Sequence, residues 1–225
     1  MIGREAGRGE GARGVDAGRD GAGRDEAGRD GAGGDRAEQG AARQDAAGQD
    51  DAWQVLGAGH LDAIEHLHRL SIGSAGPDVV KPETRDFFAG LLAGRGRILG
   101  CFDRGALIAY GVLQTEILAY DDPRAELGYA ADRGIAKLAG AAVAPSHRGA
   151  GLQRASIRQR VALAGDTPLL FSTAAPGNTA SLQNLQAEGF EIRATVTRYG
   201  GLQRYLLLRE CRAGDAAAGA SGAAR

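Results

Sequence analysis

The sequence predicts a mixed α/β domain, an α+β sheet protein with elements in the order β-α-α-β-β-β-α-β-α-β-β. Three observations carry this. Short apolar runs bounded by turn residues alternate with stretches of helical spacing. Both ends of the chain lack the apolar residues a core requires. A strand at Val143 runs through a glycine loop straight into a helix, the join expected of a sheet covered by helices.

Of 225 residues with 37 glycines, residues 1–50 hold 14 of the glycines and, after Met1, only Ile2 and Val15 as large aliphatics. A five-residue unit recurs there as Ala17-Gly18-Arg19-Asp20, Ala22-Gly23-Arg24-Asp25 and Ala27-Gly28-Arg29-Asp30. So little apolar surface cannot offset backbone ordering at roughly 1–2 kcal/mol per residue, so residues 1–50 are expected to be a disordered tail. Residues 213–225, rich in Ala, Gly and Ser, are expected to behave likewise, leaving a single domain over 52–211. The 27 basic residues balance 28 acidic ones, which argues against a general nucleic-acid binder. No run of 18 apolar residues suggests a membrane span, and the first residues lack a secretory apolar core, so a cytoplasmic location is expected. Cys101 and Cys211 are too few for a disulfide framework or a four-cysteine zinc site. Only Lys81 and Lys137 are lysine among the 27 basic residues, a skew that reads as compositional.

Within the domain, Trp53 to Leu56 is a short strand candidate. Leu61, Ile64, Leu67 or His68, and Ser71 or Ile72 repeat at helical spacing. Pro82 and Glu83 announce a second helix whose apolar face is Phe87, Phe88, Leu91 and Leu92, ended by Gly94 to Gly96. Ile98 to Phe102 and Ala106 to Gln114 read as strands around the turn Asp103-Arg104-Gly105. Leu118 to Gly134 is polar and reads as loop. Ala136 to Val143 is a small-residue strand, followed by a helix from Gly149 to about Ala164 and a strand from Leu169 to Thr173. Asn178 caps a helix that runs to Glu188, with Gly189 just past its end. Ile192 to Arg198 and Leu202 to Leu208 form a hairpin through Gly200-Gly201.

The chemistry concentrates in Val143-Ala144-Pro145-Ser146-His147-Arg148-Gly149-Ala150-Gly151-Leu152. A loop that opens a helix aims backbone N–H groups and the positive end of the helix dipole at one spot, where an anionic phosphate would sit. Gly149 and Gly151 let the backbone approach a ligand closely, and Arg148 adds a charged donor. A P-loop is excluded because no Gly-Lys pair exists. A dinucleotide fingerprint fits poorly, with Arg154 where its third glycine belongs and Phe171-Ser172-Thr173 where an acidic residue should end the next strand.

Arg148-x-x-Gly151 after Val143-x-Pro145 resembles motif A of the GNAT N-acetyltransferase superfamily. Asn178-x-x-Ser181 with Gly189-Phe190 resembles its motif B, and the order of elements matches from about Trp53 to Arg209. The resemblance implies acetyl-coenzyme A as co-substrate. It would be held by Val143, Arg148, Gly149, Ala150, Gly151, Leu152, Gln153 and Asn178, with its pyrophosphate on the loop amides and its pantetheine arm along Val143. Two positions depart from the pattern. Gln153 replaces a usual Gly or Ala, with a side chain that could point outward. Leu185 replaces the Tyr that protonates the departing thiolate in many members.

Attack of an amine on a thioester needs a base. The strand Ala136 to Val143 carries no Asp, Glu or His, so Glu116 at the end of the preceding strand is the candidate, with Glu126, Asp132 and Tyr129 in the following loop as alternatives. His147 reads as an exposed or supporting side chain. His66 and His68 cannot share a helical face, so no metal site is expected. Cys101 reads as a buried small residue. Tyr199 to Tyr205 reads as a hairpin turn that could wall the acceptor pocket.

The expected activity is transfer of an acetyl group from acetyl-coenzyme A to a primary amine, on a small molecule or a peptide. A non-catalytic acyl-coenzyme A-binding or partner-binding module on the same fold is the alternative. Neither membrane nor nucleic acid is expected as a partner, and the sequence leaves the oligomeric state open, a homodimer included.

Overall fold

A computed structural model describes residues 53–211. The two tails expected from the sequence lie outside the described residues. The elements are β1 (Trp53–Val55), α1 (Leu61–Ala75), α2 (Arg85–Gly90), β2 (Gly96–Asp103), β3 (Ala106–Gln114), β4 (Ile135–Val143), α3 (Leu152–Leu163), β5 (Leu169–Ala174), α4 (Thr179–Ala187), β6 (Glu191–Arg198) and β7 (Leu202–Glu210). Their order is the one the sequence predicts. Short 3₁₀ turns at Ala58–His60, Ala119–Asp121 and Pro145–His147 join them, and a wide turn, Leu91–Arg95, extends α2.

The strands form one seven-stranded sheet in the order β1-β2-β3-β4-β5-β7-β6. All pairs are antiparallel except β4 with β5. That parallel pair is short: Ile135, Ala136 and Lys137 face Leu169, Leu170 and Phe171, and backbone pairing stops there. Beyond it, Ser172 Oγ still donates to the Leu138 carbonyl at 2.8 Å, but the rest of β4 up to Val143 has no β5 partner. The sheet therefore carries a fork at its centre. Opposite the fork, Gly111 of β3 faces Ala141 while Leu113 faces Leu138, so β4 holds one extra residue at Ala139–Gly140, a β-bulge.

Helices cover both faces. Ile64, Leu67 and Ser71 of α1 are buried at the spacing of one helical stripe, and with Phe88, Leu91, Ile98, Tyr110 and Val112 they make the core of one face. Thr84 Oγ1 accepts the Phe87 N–H at 3.2 Å and so caps α2. On the other face, Ile157 of α3 and Leu185 of α4 pack with Leu138, Leu170, Phe190 and Leu207. Each fully buried Leu, Ile or Phe contributes about 1.5–3 kcal/mol to this packing. Gly111 permits α3 to approach, since a Cβ there would lie 2.2 Å from Ser156 Oγ and 2.8 Å from Arg160 Nε.

Candidate active site

Two contiguous cavities open around the fork. The outer one encloses about 1170 Å³ of open space, and the inner about 1040 Å³. They share Val79, Val80, Ala141, Gln153 and Asn178, so a linear ligand could pass from one to the other.

The outer cavity is built on the strand-to-helix loop. Pro145 turns the chain after β4, Arg148 is extended, and Gly149 and Gly151 take φ of 81° and 77°. Those angles favour glycine, which explains both positions independently of any ligand. A Cβ at Gly149 would meet nothing within 4 Å, so this backbone faces open space. Gly151 is the N-cap of α3 and offers no side-chain oxygen to the helix's free amides. They remain free for an anion. Arg148 Nη2 donates to Ser74 Oγ of α1 at 2.5 Å, which brings the guanidinium across this cavity's rim. Of the residues the resemblance implies, Val143, Arg148, Gly149, Gly151, Leu152, Gln153 and Asn178 line the cavity, and Ala150 lies between the two glycines without lining it. The loop chemistry and an unpartnered β4 edge fit a pyrophosphate followed by an amide-bearing arm.

Gln153 does not point outward. Its Oε1 accepts from Asn184 Nδ2 at 3.0 Å, tying the first turn of α3 to α4. Asn178 Oδ1 accepts the Ser181 N–H at 3.2 Å, the N-cap the sequence predicts. Leu185 is buried and borders the inner cavity.

The inner cavity is where the polar side chains converge. Lys137 Nζ on β4 donates to Asp121 Oδ2 at 2.5 Å and to the Tyr199 hydroxyl at 2.8 Å, and that hydroxyl lies 3.2 Å from Asp121 Oδ1 and 3.1 Å from Thr173 Oγ1. Burial works to lower the Lys137 pKa, but the Tyr199 and Asp121 oxygens outweigh it and hold it above the usual lysine range. It is a fixed cation, not a base. Glu83, in the loop before α2, accepts from Lys81 Nζ at 2.9 and 3.0 Å. Burial raises its pKa despite Lys81, so its carboxylate takes a proton more readily than an ordinary glutamate. His68 of α1 lies between these groups and the core. Its Nε2 accepts the Glu83 N–H at 2.9 Å, so Nδ1 carries the proton and donates to the Tyr110 hydroxyl at 2.8 Å. Burial, then the Lys81 charge, lowers the His68 pKa and keeps the ring neutral.

Two guanidiniums complete the lining. Arg160 of α3, fully buried, donates to Ser156, Val112 and Ala139 carbonyls at 3.0, 3.3 and 3.4 Å and so props the β4 bulge. Desolvation pushes its pKa down to about 9. Arg204 of β7 donates through Nη1 to the Gln203 carbonyl at 2.9 Å.

Glu116 is exposed and borders neither cavity; its N–H donates to the Arg95 carbonyl. Of the loop alternatives, Glu126 pairs with Arg198 and the Tyr129 hydroxyl donates to Glu210, while Asp132 is exposed and borders neither cavity. His147 contacts Ser146 and Asp103 at the surface. Cys101 is buried mid-strand. Tyr199 does wall the inner cavity, whereas the residues sequence reasoning passed over are Lys81, Glu83, Asp121 and Lys137. One signal pointed to them: both lysines of an arginine-rich chain border this single cavity.

No protein-family model matches the chain, and no curated protein matches it. Solved structures do. The ribosomal-protein-S18-alanine N-acetyltransferase of Escherichia coli aligns at a TM-score of 0.54 and 18% identity, over 72% of this chain and 96% of that one. Arabidopsis thaliana NAA60, in complex with a bisubstrate analogue, aligns at 0.58 and 16%, over 71% and 98%. A putative phosphinothricin N-acetyltransferase aligns at 0.54 and 16%, over 72% and 98%. The chain has the fold of the GNAT N-acetyltransferases. Among the described residues, no helix is long and apolar enough to cross a membrane.

Proposed function

We propose that this protein is an N-acetyltransferase that moves an acetyl group from acetyl-coenzyme A to a primary amine. One observation carries the reading. The glycine loop at the N-terminus of α3 and the buried polar cluster at the β4/β5 fork open into each other along a strand edge that has no partner among the described residues. Fold alone would not justify the assignment, because one fold hosts many functions. Similar solved structures include a ribosomal-protein-S18-alanine N-acetyltransferase, a putative phosphinothricin N-acetyltransferase and a NatC complex bound to Gag peptide and CoA.

In this reading the amides of Gly149 to Gln153 and Arg148 hold the pyrophosphate, and the free β4 edge up to Val143 pairs with the pantetheine arm. Acetyl-coenzyme A supplies the activated acyl group. Glu83 takes the proton from the acceptor amine, directly or through one water. Its raised pKa brings it nearer to working pH, where a general base is most effective. His68 holds the Glu83 backbone in place, and its acceptor nitrogen, Nε2, is already occupied by the Glu83 N–H. Leu185 has no proton to give. Arg160, buried against the bulge and without an ion pair among the described residues, favours a departing thiolate as an anion, as a preorganised charge does at a site of developing charge. Glu116 takes no part.

Thiol release from acetyl-coenzyme A in the presence of pooled amines tests the proposal. The rival, a non-catalytic acyl-coenzyme A-binding module, would bind the same ligand and release no thiol.

A further inference from the structure

We infer that the acceptor is a small molecule carrying a carboxylate beside its amine, an amino acid or a close relative, and that Arg204 binds the carboxylate. The inference rests on the acetyl-transfer reading above and narrows its substrate.

Charge within the inner cavity does not balance. Its lining holds Lys81, Lys137, Arg160 and Arg204 against only Glu83 and Asp121. Lys81 is satisfied by Glu83 and Lys137 by Asp121. Arg160 is tied through Nε and Nη1 to backbone carbonyls at the β4 bulge and serves the departing thiolate in the reading above. Arg204 is left. It is only 4% exposed, has no ion pair among the described residues, and its Nη2 is buried without any hydrogen-bond partner. An uncompensated buried guanidinium is costly, and its planar donor pair matches a carboxylate. One guanidinium left for the acceptor suits a monoanion better than a phosphate dianion, which would also meet the carboxylates of Glu83 and Asp121 in the same cavity. Glu83 and Arg204 together therefore complement a zwitterion, one receiving the ammonium and the other the carboxylate.

Lys81 Nζ, on the loop between α1 and α2, stands 4.7 Å from the Tyr199 ring centroid on the β6–β7 hairpin, and the Arg204 guanidinium lies 6.0 Å from the same ring. The loop and the hairpin thus meet at the wall of the inner cavity beside Arg204, a setting that suits a small acceptor.

The test uses the full chain loaded with coenzyme A. Each of the twenty amino acids is compared with its own α-amide and its decarboxylated amine, first by thermal shift and then by thiol release with acetyl-coenzyme A. The expected result is that at least one acid stabilises the loaded protein and exceeds its amide in kcat/KM by about tenfold or more, the range of one charge-assisted contact. In Arg204→Gln the ratio of acid to amide kcat/KM should collapse toward one; Arg204→Lys, which keeps the charge, should recover part of it. Amides or plain amines that match the acids in both readouts would overturn the inference and leave acetyl transfer intact. Absence of thiol release with every amine would instead remove the activity itself. Thermal shift would still decide the carboxylate question then: stabilisation by acids but not amides supports it, and none by any acid overturns it.

Discussion

His68 Nε2 accepts the Glu83 backbone N–H at 2.9 Å, joining a helix of the core to the loop that carries the proposed base. Glu83 and His68 are 15 positions apart, and neither has a motif around it. Their relation also fixes the ring's tautomer, because an Nε2 that accepts must leave its proton on Nδ1.

The base assignment makes a kinetic prediction. Glu83→Gln should lower kcat/KM by about 10²–10⁴-fold while acetyl-coenzyme A binding, followed by thermal shift, stays unchanged. Glu116→Gln should leave both unchanged. Since burial raises the Glu83 pKa above the usual 4.5, the acidic limb of the kcat/KM profile should lie above that value and vanish in Glu83→Gln.

His68 makes a prediction about stability and pH. Its folded pKa lies below the ordinary histidine value of 6.5, so the unfolded chain binds its proton first as pH falls. The stability it contributes is full above pH 6.5 and declines as pH drops through 6.5 toward the folded value. His68→Gln cannot titrate, so it should flatten the fall in Tm between neutral and mildly acidic pH, at the expense of a lower Tm at neutral pH.

Coenzyme binding should depend on the loop. Arg148→Ala removes a charged contact worth about 1.5–3 kcal/mol, and should weaken acetyl-coenzyme A binding about 10- to 150-fold. Ser74→Ala only releases Arg148 from α1 and should have little effect. At 100 times its Kd, acetyl-coenzyme A should stabilise the wild type by about 2.7 kcal/mol. Isothermal titration with each variant checks this.

Leu185→Tyr tests the missing acid. Leu185 is 3% exposed and packs in the core between α3, α4 and β7, so a tyrosine there overpacks it by about 1–3 kcal/mol. A lower Tm without a gain in rate is expected. Tyr199→Phe, which removes a cavity hydroxyl bonded to Lys137, should leave the rate profile at high pH unchanged; a wild-type fall at high pH that is lost in this variant would make Tyr199 the acid.

The fold was legible because it is written in local patterns. The helical stripe Ile64, Leu67, Ser71, the Asn178 cap and the glycine turns at Gly149 and Gly200 each specify their element, and each lies where the sequence places it. Boundaries moved by a few residues: α3 begins at Leu152 instead of Gly149, because Gly149 and Gly151 adopt positive φ that a helix cannot hold. The coenzyme loop was legible for the same reason, being contiguous in sequence. The polar cluster was not. Lys137, Asp121 and Tyr199 meet from a strand, a loop and a hairpin, and only the sheet order brings them together. β4 offers no Asp, Glu or His as a base, and its Lys137 is held instead as a fixed charge. The scarcity of lysine was the available clue, and composition alone could not say where the two would lie.

The central claim is that the two cavities work as one active site. Thiol release from acetyl-coenzyme A by the full-length wild type, with and without a mixed panel of primary amines including amino acids, tests it most directly. Release that rises with amine concentration, and falls in Glu83→Gln, is the expected result. Acetyl-coenzyme A binding with no amine-dependent release, in wild type and variant alike, would contradict it.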